Sequence, residues 1–179
     1  ISDKATASTV VVGFNAPASN DTKGRIYAEA LSELLSMSST SRINKKLKPL
    51  NTSSSVQDEK ISTNSQDGRA FIVTSECSDE NSEKVLKTIF NEIGNIANNP
   101  PTDDEMQIIK KHMLNNFSKL FERSFATNDL IGTSILENNT EFLSTFEETV
   151  KSMSAKDLVE TAKKYLDVNK ASVTVVHPS

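Results

Sequence analysis

Hydrophobic and polar positions change their period several times along this chain, and each change predicts an element. Ala7 to Ala16, "ASTVVVGFNA", is a short β-branched run closed by Asn15 and Pro17, the signature of a strand. In "SNDTKGRIYAEALSELLSM" the period becomes helical. Asp21 or Thr22 can cap a helix that carries Tyr27, Ala30, Leu31, Leu34 and Leu35 on one face. A basic segment of one or two helical turns follows and ends near Pro49. Thr52 to Ile61 alternates weakly and predicts a polar strand, Ser62 to Gly68 a turn, and Arg69 to Glu76 ("RAFIVTSE") a second apolar strand.

The chain then turns helical for a long stretch. Ser82 to Asn98 places Val85, Leu86, Ile89, Phe90, Ile93 and Ile96 on one stripe, and "NNPP" ends it. "TDDE", Thr102 to Glu105, has the spacing of a capping box and opens a helix with Met106, Ile109, Met113, Phe117, Leu120 and Phe121 inward. Asn128 to Leu136 and Glu141 to Met153 predict two more helices. "SAKD", Ser154 to Asp157, caps a last one that buries Leu158, Ala162, Tyr165 and Leu166, and Lys170 to Val176 closes as a strand. Strands and helices do not alternate strictly, which argues against a doubly wound parallel sheet. The order predicts an α+β fold, a mostly antiparallel sheet with helices packed on one face. No repeat or linker divides residues 1–179, so one domain is expected; because the chain starts at Ile1, it reads as a unit excised from a longer protein.

Composition narrows the function classes. The net charge of -4 argues against a nucleic-acid partner, and 6% aromatics with no tryptophan leave little for base stacking. No apolar run approaches the roughly 20 residues of a membrane span, and no signal peptide is visible. The single cysteine, Cys77, forms no internal disulfide, so cytoplasmic and periplasmic or exported settings stay open.

Catalytic chemistry finds little to use. A catalytic zinc needs about three clustered protein ligands. The chain has two histidines, His112 and His177, with no H-x-x-E-H, H-x-x-H or C-x-x-C, and both read as boundary or surface residues. G-x-S-x-G and a Gly-rich phosphate loop are absent, and Asp103, Asp104 and Glu105 complement a helix dipole. What is left is "SSTSRINKKLKPLNTSSSV", Ser38 to Val56, with Arg42, Lys45, Lys46 and Lys48 within seven residues. By composition it is a solvated helical turn or a site for a carboxylate or peptide carbonyl.

The order of segments resembles the C-terminal domain of the insulinase/pitrilysin-like zinc peptidases, the M16 family, which includes the mitochondrial processing peptidases. "TVVVGFNAPASNDTKGRIYAEALSELL" is similar to that domain's opening strand, turn and long helix. "SRI" with "KKLK" resembles its S-R-L and L-R-E segments. "DGRAFIVTSECSDENSEKVLKTIFNEI", "PPTDDEMQIIKKHMLNNF" and "VKSMSAKDLVETAKKYLDVNKASVTVV" resemble the later strand-to-helix, T-x-x-E and terminal segments, so the likeness covers nearly the whole chain. It implies a half-unit that pairs with another around a peptide chamber. Units with H-x-x-E-H carry the zinc; this chain, lacking that motif, resembles a non-catalytic unit. Zinc is then expected in a catalytic domain of the same chain or of a partner subunit, with peptides as substrates.

The resemblance also implies site residues. Some family members hold substrate with an arginine and a tyrosine. Lys48 stands at the arginine position, followed by Pro49, and Ser54 or Ser55 stands at the tyrosine's. A lysine is a point charge without the guanidinium fork, and serine is shorter than a phenol. Lys48, Ser55 and Arg42 are the substrate-binding residues it points to. Two other readings stay open: a scaffold domain of an assembly that has lost peptidase activity, and an independent peptide-binding module.

Overall fold

The computed structural model describes residues 7–60, 68–122, 124–136 and 139–178. Strand β1 (Ser8–Asn15) leads to helix α1 (Thr22–Ser36), α2 (Arg42–Leu47), a 3-10 turn (Lys48–Leu50) and β2 (Ser54–Lys60). Next come β3 (Arg69–Cys77), a 3-10 turn (Asp79–Asn81), and helices α3 (Ser82–Gly94), α4 (Asp103–Phe121), α5 (Ser124–Leu136), α6 (Glu141–Ser152) and α7 (Ala155–Tyr165). A third 3-10 turn (Val168–Lys170) precedes β4 (Ser172–Val176). This is the α+β architecture the segment order predicts. The expected turn at Ser62–Gly68 lies, but for Gly68, outside the described residues, as does Ile61 of the expected second strand.

The sheet is antiparallel throughout, in the order β2-β3-β1-β4. The period-2 pattern explains its two faces. In β1, Ser8, Val10, Val12 and Phe14 point inward, and the register sets Val12 beside Val73 of β3 and Val73 beside Val56 of β2. The helices bury this inner face. Phe71, Ile26, Leu31, Leu35, Ile89, Met113, Phe146 and Leu158 are fully buried in one contiguous core.

Caps place the helices where the sequence predicts them. Asp21 accepts the amide of Gly24 at 2.8 Å. A Cβ at Gly24 would collide with the Asp21 carboxylate, so a larger residue there would push the capping group aside. The Thr102–Glu105 box forms both its bonds, at 3.2 and 2.9 Å, and Ser154 and Asp157 form the same box on α7.

The boundaries differ in places. Helix α3 ends at Gly94 rather than Asn98, yet its trailing turns still bury Ile96. Helix α5 begins four residues before the expected Asn128. Leu120 and Phe121, expected inward, are 37% and 49% exposed. Phe121 still meets Phe117 edge-on, ring centroids 5.1 Å apart, so its exposure is one-sided. Tyr165, expected buried, is half-buried because its hydroxyl reaches out to donate to Asp21 Oδ2 at 3.3 Å.

Candidate functional site

The basic stretch folds as a helical turn with two different sides. Ile43 and Leu47, one turn apart, are fully buried, whereas Lys45, Lys46 and Lys48 are exposed. Asn44 is buried between them. Its Nδ2 donates to Ser36 O at 2.7 Å and Ser38 O at 3.1 Å. Its Oδ1 accepts Ser54 N at 2.6 Å and Ser54 Oγ at 3.1 Å. One amide thereby ties the end of α1 to the start of β2, and its hydrogen-bonding capacity is met. Ser41 reinforces the turn by donating to Glu33 O at 2.9 Å.

The three residues the resemblance singles out go to different places. The Arg42 guanidinium runs to the α3–α4 connection. Its Nε and Nη2 donate to Glu105 Oε1 and Oε2 at 2.9 and 2.7 Å, and Nη1 and Nη2 donate to the carbonyls of Asn99 and Pro100 at 2.6 and 3.1 Å. That pairing holds the Glu105 carboxyl below its ordinary range. Lys48 lines a shallow cavity of about 320 Å³ with Ser39, Asn44 and residues Asn51 to Ser53. Asn51 closes the 3-10 turn in a left-handed conformation, φ 50°, which asparagine tolerates. Ser55 is exposed on β2, opposite Thr74 of β3, and does not line that cavity.

The histidines lie apart, on the surface. His112 Nδ1 is 2.7 Å from Glu33 Oε2, and His177 Nδ1 is 2.5 Å from Asp79 Oδ1, which also accepts the Ser8 hydroxyl at 2.7 Å. Among the described residues, no three His, Cys, Asp or Glu side chains are grouped as metal ligands. Cys77 is buried, and that burial raises its thiol pKa, which disfavours the nucleophilic thiolate. Among the described residues no helix is long and apolar enough to cross a membrane.

The sequence reading passed over one cluster. Glu29 of α1 sits half-buried beside β2, and burial, with Glu33 one turn along, pushes its carboxyl up to about 7. Arg25, Asp58 and Arg69 line the same trough. The one sequence signal was a pair of glutamates four residues apart on an amphipathic helix, and it does not say which partners β2 and β3 bring.

The described polar groups of the basic turn thus tie elements of the fold together, in a fold whose sheet is covered by helices on one face. The protein is a member of the peptidase M16 inactive domain family, whose model matches residues 1–113. No curated protein matches the chain. Among solved structures, a protease from Helicobacter pylori superposes with a TM-score of 0.86 at 20% identity, covering 97% of this chain and 42% of that one. The inactive peptidase domain of a Bordetella parapertussis protein superposes at 0.83 and 11% identity, covering 100% of this chain and 98% of that one. A chain of Complex III2 from Candida albicans gives 0.78 at 13% identity, covering 98% and 44%. The chain thus spans less than half the length of the Helicobacter protein.

Proposed function

We propose that this chain is a non-catalytic unit of an M16-type zinc metallopeptidase. Residues 1–179 form one wall of a peptide-binding chamber within a longer chain or complex. The family match carries this reading, and the absence of H-x-x-E-H from the sequence accords with it. The zinc and its motif then belong to a catalytic domain in the same chain or in a partner subunit. Lys48 attracts a peptide carbonyl or carboxylate, Ser55 offers a hydroxyl from the outer sheet face, and Arg42 contributes by holding α2 against the α3–α4 connection. The test is to reconstitute the unit with the product of the rest of its gene or its co-purifying partner. Zinc-dependent peptide cleavage that needs both parts is the expected result. A Lys48→Ala variant should raise KM with kcat unchanged. If neither the flanking coding sequence nor the partner contains H-x-x-E-H, the proposal fails.

A chain of Complex III2 shares the fold, and a second reading is a scaffold unit of an assembly that has lost peptidase activity. It predicts no zinc and no peptide cleavage in the intact assembly. In an independent peptide-binding module, by contrast, the isolated chain would bind unfolded peptides and lose them when Lys45, Lys46 and Lys48 all become glutamate.

A further inference from the structure

The trough beside α1 is not used by the chamber reading. It encloses about 240 Å³ between α1 and the β2 edge of the sheet, with Met37, Val56 and Phe142 as apolar walls. Four charged side chains line it, and three are engaged. Arg69 Nε donates to Asp58 Oδ1 and its Nη2 to Asp58 O, both at 3.1 Å. Arg25 lies over the Phe142 ring, 5.0 Å from its centroid, and donates to Ser19 O at 3.4 Å. The Glu29 carboxyl has no hydrogen-bond or ion-pair partner among the described residues.

A half-buried carboxylate without a partner is costly, and a group that brings N–H donors and positive charge removes that cost. Arg69 and Asp58 neutralise one another and Arg25 is turned over the Phe142 ring, so Glu29 is the charge in the trough that a ligand meets. The apolar walls suit methylene groups, as long basic side chains lay their stems on apolar surface and keep the head on a polar partner. We propose that this trough binds a primary ammonium or guanidinium on an aliphatic stem, with the Glu29 carboxylate accepting its N–H donors and Met37 and Val56 packing against the stem. The ligand is the lysine or arginine side chain of a peptide, or a small alkylamine.

The site should then respond to pH. Glu33 on α1 and Asp58 on β2 favour the protonated form of Glu29, and Arg25 opposes them. Arg69 of β3 is held by Asp58, His112 of α4 faces Glu33, and α6 presents the uncharged Phe142. A cation needs the ionised form. With the Glu29 carboxyl at about 7, ionisation rises from about one-tenth at pH 6 to about nine-tenths at pH 8, so affinity should rise about tenfold over that range.

The test titrates the ¹⁵N-labelled chain with pentylammonium and, separately, with the capped peptide acetyl-Ala-Lys-Ala-amide, following the amides of Ser32, Val56 and Asp58. Saturable shifts that strengthen about tenfold from pH 6 to pH 8 are expected, weakened at least tenfold in Glu29→Gln and retained with the same pH dependence in His112→Asn. Tighter binding of the peptide than of pentylammonium assigns the site to peptide side chains; equal binding assigns it to small amines. Glu29→Gln is isosteric, and its dispersed amide spectrum checks that it folds. Saturation absent with both probes, a flat pH profile, or binding unchanged in folded Glu29→Gln overturns the proposal.

Discussion

Arg42 grips Glu105 through two hydrogen bonds, at 2.9 and 2.7 Å, while the same carboxylate closes the capping box of α4 by accepting the Thr102 amide. A basic residue in a serine-rich turn thereby fixes the start of a helix 63 positions away. Arg42→Ala removes a charge-assisted pair that is largely shielded and hands the exposed Asn99 and Pro100 carbonyls to water. A loss of about 2 kcal/mol in urea unfolding at pH 7 is expected, and Arg42→Lys should recover less than half of it. The folded carboxyl of Glu105 lies below its ordinary 4.5. Its contribution is therefore present above that value and is lost as pH falls through the depressed one. Urea curves should show the difference between wild type and Arg42→Ala shrinking at pH 3. A difference unchanged between pH 7 and pH 3 would count against the pairing.

The ring of Phe146 stacks on Phe117 at 4.2 Å and 14°, and Phe146 is 2% exposed. This contact fastens α6 to α4. Phe146→Ala should cost about 3–5 kcal/mol, the price of a large cavity, and Phe146→Leu about half as much. Thermal melts of the two variants decide it, and a shift of only a degree or two for Phe146→Ala would be inconsistent with a packed α4–α6 contact.

Glu29 sets an opposite pH dependence. Its folded carboxyl is raised from 4.5 to about 7, so the folded state holds the proton more tightly than the unfolded chain does. Stability is then lost as pH rises from about 4.5 to about 7 and changes no further above that. Glu29→Gln removes the cost. It should match wild type at pH 4 and exceed it at pH 8 by on the order of 2 kcal/mol, discounted for partial solvent contact. Unfolding free energies across that range test the sign.

Asp79 accepts from Ser8 at 2.7 Å and contacts His177 at 2.5 Å, linking the start of β1, the β3–α3 turn and the segment after β4. The histidine contact, chiefly, holds the Asp79 carboxyl below its ordinary range. Asp79→Asn should loosen the end of β4 without unfolding the protein. Faster hydrogen exchange at Val175 and Val176, with the β1–β3 amides unchanged, is the expected pattern; uniform exchange rates across the sheet would refute it.

Much of this fold was legible in the chain itself. Alternating valines in β1, the apolar stripes of α1, α3 and α4, and both capping boxes are local patterns, and local backbone chemistry decides them. The family likeness was legible for the same reason, since it rests on the order of such segments. The partners of charged groups are decided elsewhere. Nothing near Arg42 announces Glu105, and nothing near Glu29 announces that Asp58 and Arg69 will arrive from β2 and β3. Leu120 and Phe121 continue an apolar stripe, yet they are partly exposed, because the stripe does not say what will pack over it. Hydrophobic period acts over a few residues, so the sequence by itself determined which elements form and which face each buries. Desolvation and ion pairing depend on what packs within a few ångströms, whatever its distance along the chain. Only the tertiary structure decided, therefore, that the basic turn uses its arginine to hold the fold and leaves its lysines to solvent, and that a carboxylate on α1 faces a trough with no hydrogen-bond partner among the described residues.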